Sequence, residues 1–150
     1  MLRPKKVGHV VLKARDLDCL EEFYTQVLGF EVVTRLTRPK GVFFSLGEQH
    51  HDLAVLEVPP EATPVHDAQV GLHHVALQVE DFGTLKAFYH ALKQRRAEIT
   101  GTIDHGITKS VYFRDPEGNQ FELYCDEGED GLERLRRGEA DAFTPLNLDA

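Results

Sequence analysis

VGHVVLKARDLDCLEEFY at residues 7–24 and LHHVALQVEDFGTLKAFY at residues 72–89 are two copies of one pattern. At a constant offset of 65, His9 meets His74, Val10 meets Val75, Leu12 meets Leu77 and Asp16 meets Asp81. Leu20 meets Leu85, and Phe23-Tyr24 meets Phe88-Tyr89, giving seven identities in 18 positions without a gap. Any two strand–helix units share apolar spacing, but coincident His, Asp and Phe-Tyr positions point to an internal duplication.

Each copy opens with the alternation of a strand and continues into a helix, with Leu17, Leu20, Phe23 and Val27 in the first and Phe82, Leu85, Phe88 and Leu92 in the second. Asp18 and Glu21 are read as a capping box, and Gly29 as a helix stop. Three strands are expected after each helix: Phe30–Leu36, Val42–Leu46 and Asp52–Val58, then Glu98–Thr102, Ser110–Arg114 and Gln120–Cys125. Asp115-Pro116-Glu117-Gly118-Asn119 is a hairpin signal, because Pro fixes φ and Gly permits a left-handed turn residue. The fold expected is α+β: a single domain over 1–150, built of two βαβββ modules at 5–58 and 71–126. A Pro-marked linker spans 59–70, and a tail spans 127–150 with one short helix around Leu132–Arg137.

Composition narrows the function. A net charge of -8 argues against nucleic acid, whose phosphates demand clustered Lys and Arg. No apolar run approaches the roughly 18 residues of a membrane span, and the first residues lack a signal-peptide pattern, so a cytoplasmic protein is expected. Cys19 and Cys125 have no zinc-type spacing and read as reduced core thiols.

Strand parity then exposes a polar face. If Val10, Leu12 and Ala14 pack on the helix, His9 lies opposite; if Val75, Leu77 and Val79 do, so does His74. Val111 and Phe113 leave Ser110, Tyr112 and Arg114 on the other side, and Phe121 and Leu123 leave Gln120, Glu122 and Tyr124. Curling the two faces together would gather His9, His74, Tyr112 and Glu122. Two imidazoles and a carboxylate form a three-ligand set with open positions, which suits Fe(II) and also accepts Mn, Zn or Ni.

Gly8-His9-Val10-Val11-Leu12, His73-His74-Val75-Ala76-Leu77 and the run from Tyr112 to Tyr124 resemble the vicinal oxygen chelate superfamily of glyoxalases, bleomycin- and fosfomycin-resistance proteins and extradiol dioxygenases. The resemblance covers about residues 5–126 and implies paired modules forming a cup-shaped mixed sheet, helices outside, around a metal held by His9, His74 and Glu122. Its motifs are most similar to single-domain members of extradiol type. Glyoxalase-type isomerases need a fourth ligand where this chain has Ala54, which has no donor atom. His51-Asp52-Leu53-Ala54 is similar to a dioxygenase segment whose histidine is an acid/base. Tyr112, ten residues before Glu122, matches an active-site tyrosine, and His105-Gly106-Ile107-Thr108 matches a substrate-contacting segment.

The resemblance therefore implies a ring-cleaving enzyme with Fe(II), a catecholic substrate and O2. His51, Tyr112 and His105 would be its catalytic side chains, and a homodimer its assembly. Alternatives are another metal-dependent enzyme of the superfamily (a thiol transferase, isomerase or epimerase) or a non-catalytic sequestering protein, whose members generally lack the three ligands. His50, His66 and His90 are given no role, and His73 a supporting one.

Overall fold

Each copy of the repeat folds as a βαβββ module in a computed structural model of the chain, which describes residues 1–139 and 143–150. The chain divides into two units, Met1–Pro64 and Val65–Ala150. The first runs β1 (Val10–Ala14), α1 (Leu17–Gln26), β2 (Glu31–Thr37), β3 (Lys40–Ser45) and β4 (Leu53–Glu57). Its sheet has the order β1-β4-β3-β2, with β1 parallel to β4 and the other pairs antiparallel. The second runs β5 (Val75–Gln78), α2 (Phe82–Gln94), β6 (Ile99–Asp104), β7 (Thr108–Arg114) and β8 (Gln120–Asp126). It repeats the topology as β5-β8-β7-β6, then adds α3 (Gly131–Arg136) and a fifth strand, β9 (Thr144–Pro145), on the β6 edge.

The repeated aspartates begin the helices. Asp16 accepts from the Cys19 amide and Asp81 from the Thr84 amide, each satisfying a backbone donor that the first turn leaves open. The cap of α1 is thus Asp16, two residues before the expected Asp18. The register of α1 also differs in detail, because Tyr24 is fully buried where Phe23 was expected to be. Tyr24 continues the stripe of Leu17 and Leu20 and meets Phe44 edge-on at 5.3 Å. Cys19 falls off that stripe and is exposed, unlike the buried Cys125, so it is not a core thiol.

In the second unit Leu85 and Leu92 of α2 are buried, as are Val111, Phe113, Phe121, Leu123 and Cys125 of the sheet. Phe113 and Phe121 stack at 5.7 Å. The alternation leaves the even-numbered residues of β7 and β8 on the other face. No helix among the described residues is long and apolar enough to cross a membrane.

Backbone crowding makes one glycine informative. A Cβ on Gly41 of β3 would stand 2.6 Å from the Val55 carbonyl oxygen on β4 and 2.8 Å from the Leu56 side chain. A backbone oxygen cannot swing aside, so the sheet itself has to shift. Gly41→Ala is expected to cost about 1–3 kcal/mol, the range for overpacking. The change should appear as a lower urea midpoint with an unchanged slope; an unaltered midpoint would contradict this packing.

Candidate metal centre

The turn Asp115–Asn119 sets the geometry of the second unit's site. The Asp115 carboxylate accepts from the Glu117 and Asn119 amides at 3.0 and 2.9 Å and from the Asn119 side chain at 2.9 Å. Gly118 takes the left-handed conformation, with φ of 91°. The closed turn pairs Arg114 with Gln120, and two steps further along it pairs Tyr112 with Glu122. Slipping the register by one residue would put the two on opposite faces of the sheet.

Glu122 sits on β8 between β5 and β7, only 8% exposed, and its two oxygens have separate surroundings. Oε1 accepts from the buried Ser110 hydroxyl at 2.5 Å and from the Tyr112 hydroxyl at 3.0 Å. Oε2 faces His74 Nε2 at 3.1 Å. His74 immediately precedes β5, and its other ring nitrogen, Nδ1, lies 2.7 Å from Nδ1 of His73. The His74–Glu122 separation is that of a direct His–carboxylate contact, and it is also close to the ~3.0 Å between two donors bound at ~2.1 Å and at right angles on one ion.

Tyr112 links this pair to His105, in the turn between β6 and β7. Its hydroxyl stands 3.0 Å from His105 Nε2. A phenol has one proton, and here it goes to Glu122, so His105 donates from Nε2. Burial, reinforced by the Glu122 charge, pushes the Tyr112 phenol up to about 12. Tyr112 therefore remains a hydroxyl donor at neutral pH.

In the first unit, His51 is 9% exposed and lies between two rings. Phe43 stacks on it at 4.3 Å, and His9, just before β1, approaches at 4.2 Å. His51 Nδ1 lies 2.6 Å from His50 Nδ1, which leaves Nε2 as the nitrogen outside that contact. Burial lowers the pKa of His51, with His9 and His50 adding to the effect and Asp52 opposing it. The loop carrying His51 is cross-braced: Asp52 accepts from the Leu46 amide at 2.8 Å and from Gln49 Nε2 at 2.5 Å. Gln49 also donates to the Gly8 carbonyl at 3.3 Å, tying the loop to the residue before His9.

Register identifies the internal counterpart of Glu122. Ala76 and Tyr112 flank Glu122 in one sheet, and Val11 and Phe43 flank Ala54 in the other. Ala54 thus occupies the carboxylate's place in the first unit.

The sequence-predicted residues fall into two groups. His74, Glu122, Tyr112 and His105 are linked within the second unit, and His9 and His51 are in contact within the first. Among the described residues, no three His, Cys, Asp or Glu side chains are gathered at metal-binding distance. Ser110 is the residue that sequence reading left without a role. Its signal was present, since parity places it on the face of Tyr112 and Glu122.

A sequence profile of the glyoxalase/bleomycin resistance protein/dioxygenase superfamily matches residues 6–123. The chain belongs to this superfamily. Its relatives include biphenyl-2,3-diol 1,2-dioxygenase 2 of Rhodococcus globerulus, 34% identical over 127 residues, which are 84% of this chain and 65% of that protein. Biphenyl-2,3-diol 1,2-dioxygenase 3 of the same organism is 36% identical over 125 residues, 81% of this chain and 63% of the relative. The chain thus spans just under two thirds of the length of these two superfamily members. In three dimensions it is similar to a glyoxylase/bleomycin resistance protein/dioxygenase domain from Frankia sp. EAN1pec, with a TM-score of 0.74 and 21% identity. That likeness covers 83% of this chain and all of that one, and it concerns the fold.

Proposed function

We propose that this superfamily member is an extradiol-type ring-cleavage dioxygenase acting on a catecholic compound, with a divalent metal, Fe(II), held by His9, His74 and Glu122. The observation that carries the reading is the chain His105–Tyr112–Glu122 beside His74. It sets a protonated hydroxyl next to two donors at ligand spacing. The two relatives named as biphenyl-2,3-diol dioxygenases support the substrate class.

Each side chain has a task in this reading. With the metal bound, His74 would carry its proton on Nδ1, where His73 Nδ1 lies 2.7 Å away, and would offer the Nε2 lone pair as ligand. Glu122 offers Oε2 while Ser110 and Tyr112 hold Oε1 still. His9 completes the set from the other module, within one domain of paired modules or between two copies of a homodimer. Fe(II), when bound, supplies the electronic coupling between a catechol and O2. Catechols bind with loss of protons, and His51 is the group that takes and returns one, Nε2 being its working nitrogen. Tyr112, whose proton goes to Glu122 here, would turn it to a substrate oxygen when one binds, with His105 supporting the phenol from Nε2. Phe43 gives an aromatic ring a flat apolar neighbour.

Ala54 argues against an isomerase that needs four protein ligands, because no donor atom stands at the register position equivalent to Glu122. The test uses the protein reconstituted anaerobically with Fe(II), then given O2 and a panel of catechols that includes 2,3-dihydroxybiphenyl. Yellow ring-fission products are expected. With Ni, Co or Zn, methylglyoxal and glutathione, no isomerisation is expected. The reverse pattern would overturn the assignment, and silence in both assays would favour a transferase with the same three ligands.

A further inference from the structure

The C-terminal tail lies beyond the part of the chain that matches the superfamily profile, yet two of its segments reach one turn of the second unit. That turn carries His105. It is closed by the His105 amide donating to the Thr108 carbonyl at 2.9 Å and by the Gly106 amide donating to the Asp104 carboxylate at 2.8 Å. Arg134 of α3 donates to the Gly106 carbonyl at 3.0 Å, so the tail holds the turn from one side.

β9 holds it from another. Ile103 pairs with Pro145 and Asp104 with Thr144, and the next antiparallel step along that register sets His105 opposite Phe143. The side chains meet as the register requires: the Phe143 and His105 rings lie 5.0 Å apart at 84°, edge to face. The strand is firmly seated. The Leu146 amide donates to the Thr102 carbonyl at 3.1 Å, and the Thr102 hydroxyl returns a bond to the Leu146 carbonyl at 2.8 Å. Leu148 is 2% exposed, and Asp149 accepts from Lys93 and Tyr89 of α2. Phe143 itself is 67% exposed, so its contact with His105 is not a by-product of core burial.

We infer that the C-terminal tail is a working part of the second unit's site, with Phe143 as a positioning residue for His105 and, through it, for the Tyr112 hydroxyl. His105 Nε2 has to point at the Tyr112 oxygen for their 3.0 Å bond, and Phe143 blocks rotation of the ring away from it. The same exposed ring adds an apolar surface beside His105, suited to an aromatic substrate. The kinetic consequence rests on the function proposed above; the hold on His105 does not.

The test compares Phe143→Ala and Phe143→Tyr in the full chain. Exposure of Phe143 leaves little reason for either to impair folding. Long-range proton–nitrogen NMR of the metal-free protein reads the His105 ring. We expect an Nε2-protonated ring whose signals move in Phe143→Ala and return toward wild type in Phe143→Tyr. With iron loaded, kcat for ring fission should fall about tenfold in Phe143→Ala, a moderate case of lost positioning, with a smaller change in KM and recovery in Phe143→Tyr. His105 signals unmoved by Phe143→Ala overturn the inference, as does an unchanged kcat. If wild type cleaves no catechol, the dioxygenase reading falls, while displaced His105 signals still support the tail's hold on the ring.

Discussion

Glu122→Ala is expected to retain no metal after anaerobic gel filtration and to lose all turnover, while the module around it stays folded. Glu122 supplies the only carboxylate in the proposed three-ligand set, and two remaining imidazoles are too few to hold a divalent ion tightly against water. The fold survives because the core lies on the opposite face of the sheet, in Phe113, Phe121 and Leu123. It does not survive unweakened. Ser110 and Tyr112 lose their shared acceptor, and a buried hydroxyl without a partner costs about 1–3 kcal/mol. Glu122→Gln separates the two effects, since its amide oxygen still accepts from both hydroxyls while the charge is gone. It should lose the metal like the alanine variant but less of its stability. His74→Ala should match both in metal content. Elemental analysis showing full occupancy in these variants would remove them from the ligand set.

His51→Ala is expected to keep its iron and lose turnover. A general acid–base group contributes roughly 100- to 10,000-fold to rate, and a kcat loss of at least about tenfold is the floor set for this variant. The ring touches His9, so its removal also loosens a proposed ligand. Turnover is therefore to be expressed per bound iron, with iron measured in the same samples. Tyr112→Phe should lose less, because one hydroxyl disappears while the ring still meets His74 edge-on at 5.6 Å. An unchanged kcat per iron in His51→Ala would take His51 out of the reaction.

The βαβββ repeat was legible because its signals are local: period-two alternation, apolar residues at helical spacing and a Pro-Glu-Gly-Asn turn. Parity also puts Tyr112 and Glu122 on one face, where the register pairs them. What stayed hidden depends on partners distant in sequence. β9 is two residues long with no pattern of its own, and it is a strand because the edge of β6 offers it hydrogen bonds. Phe143 gained meaning only through that register. Phe23 and Tyr24 could not be ranked from spacing alone, since both lie near the helical stripe and the aromatic pocket of Phe30 and Phe44 decides between them. Cys19 misled by residue type, because its place in the first turn of α1, off the buried face, outweighs the usual burial of thiols.

The unequal treatment of the two Glu122 oxygens has a consequence for what an ion at this site could do. With Oε1 tethered by two hydroxyls, Oε2 is the oxygen the carboxylate would offer, and as a monodentate donor it would fill a single corner of a coordination polyhedron. A chelating glutamate would fill two corners, and each corner left over is a seat for an exchangeable guest. Ser110 and Tyr112, neither of which need touch the ion, would thereby set how many guests it can receive at once.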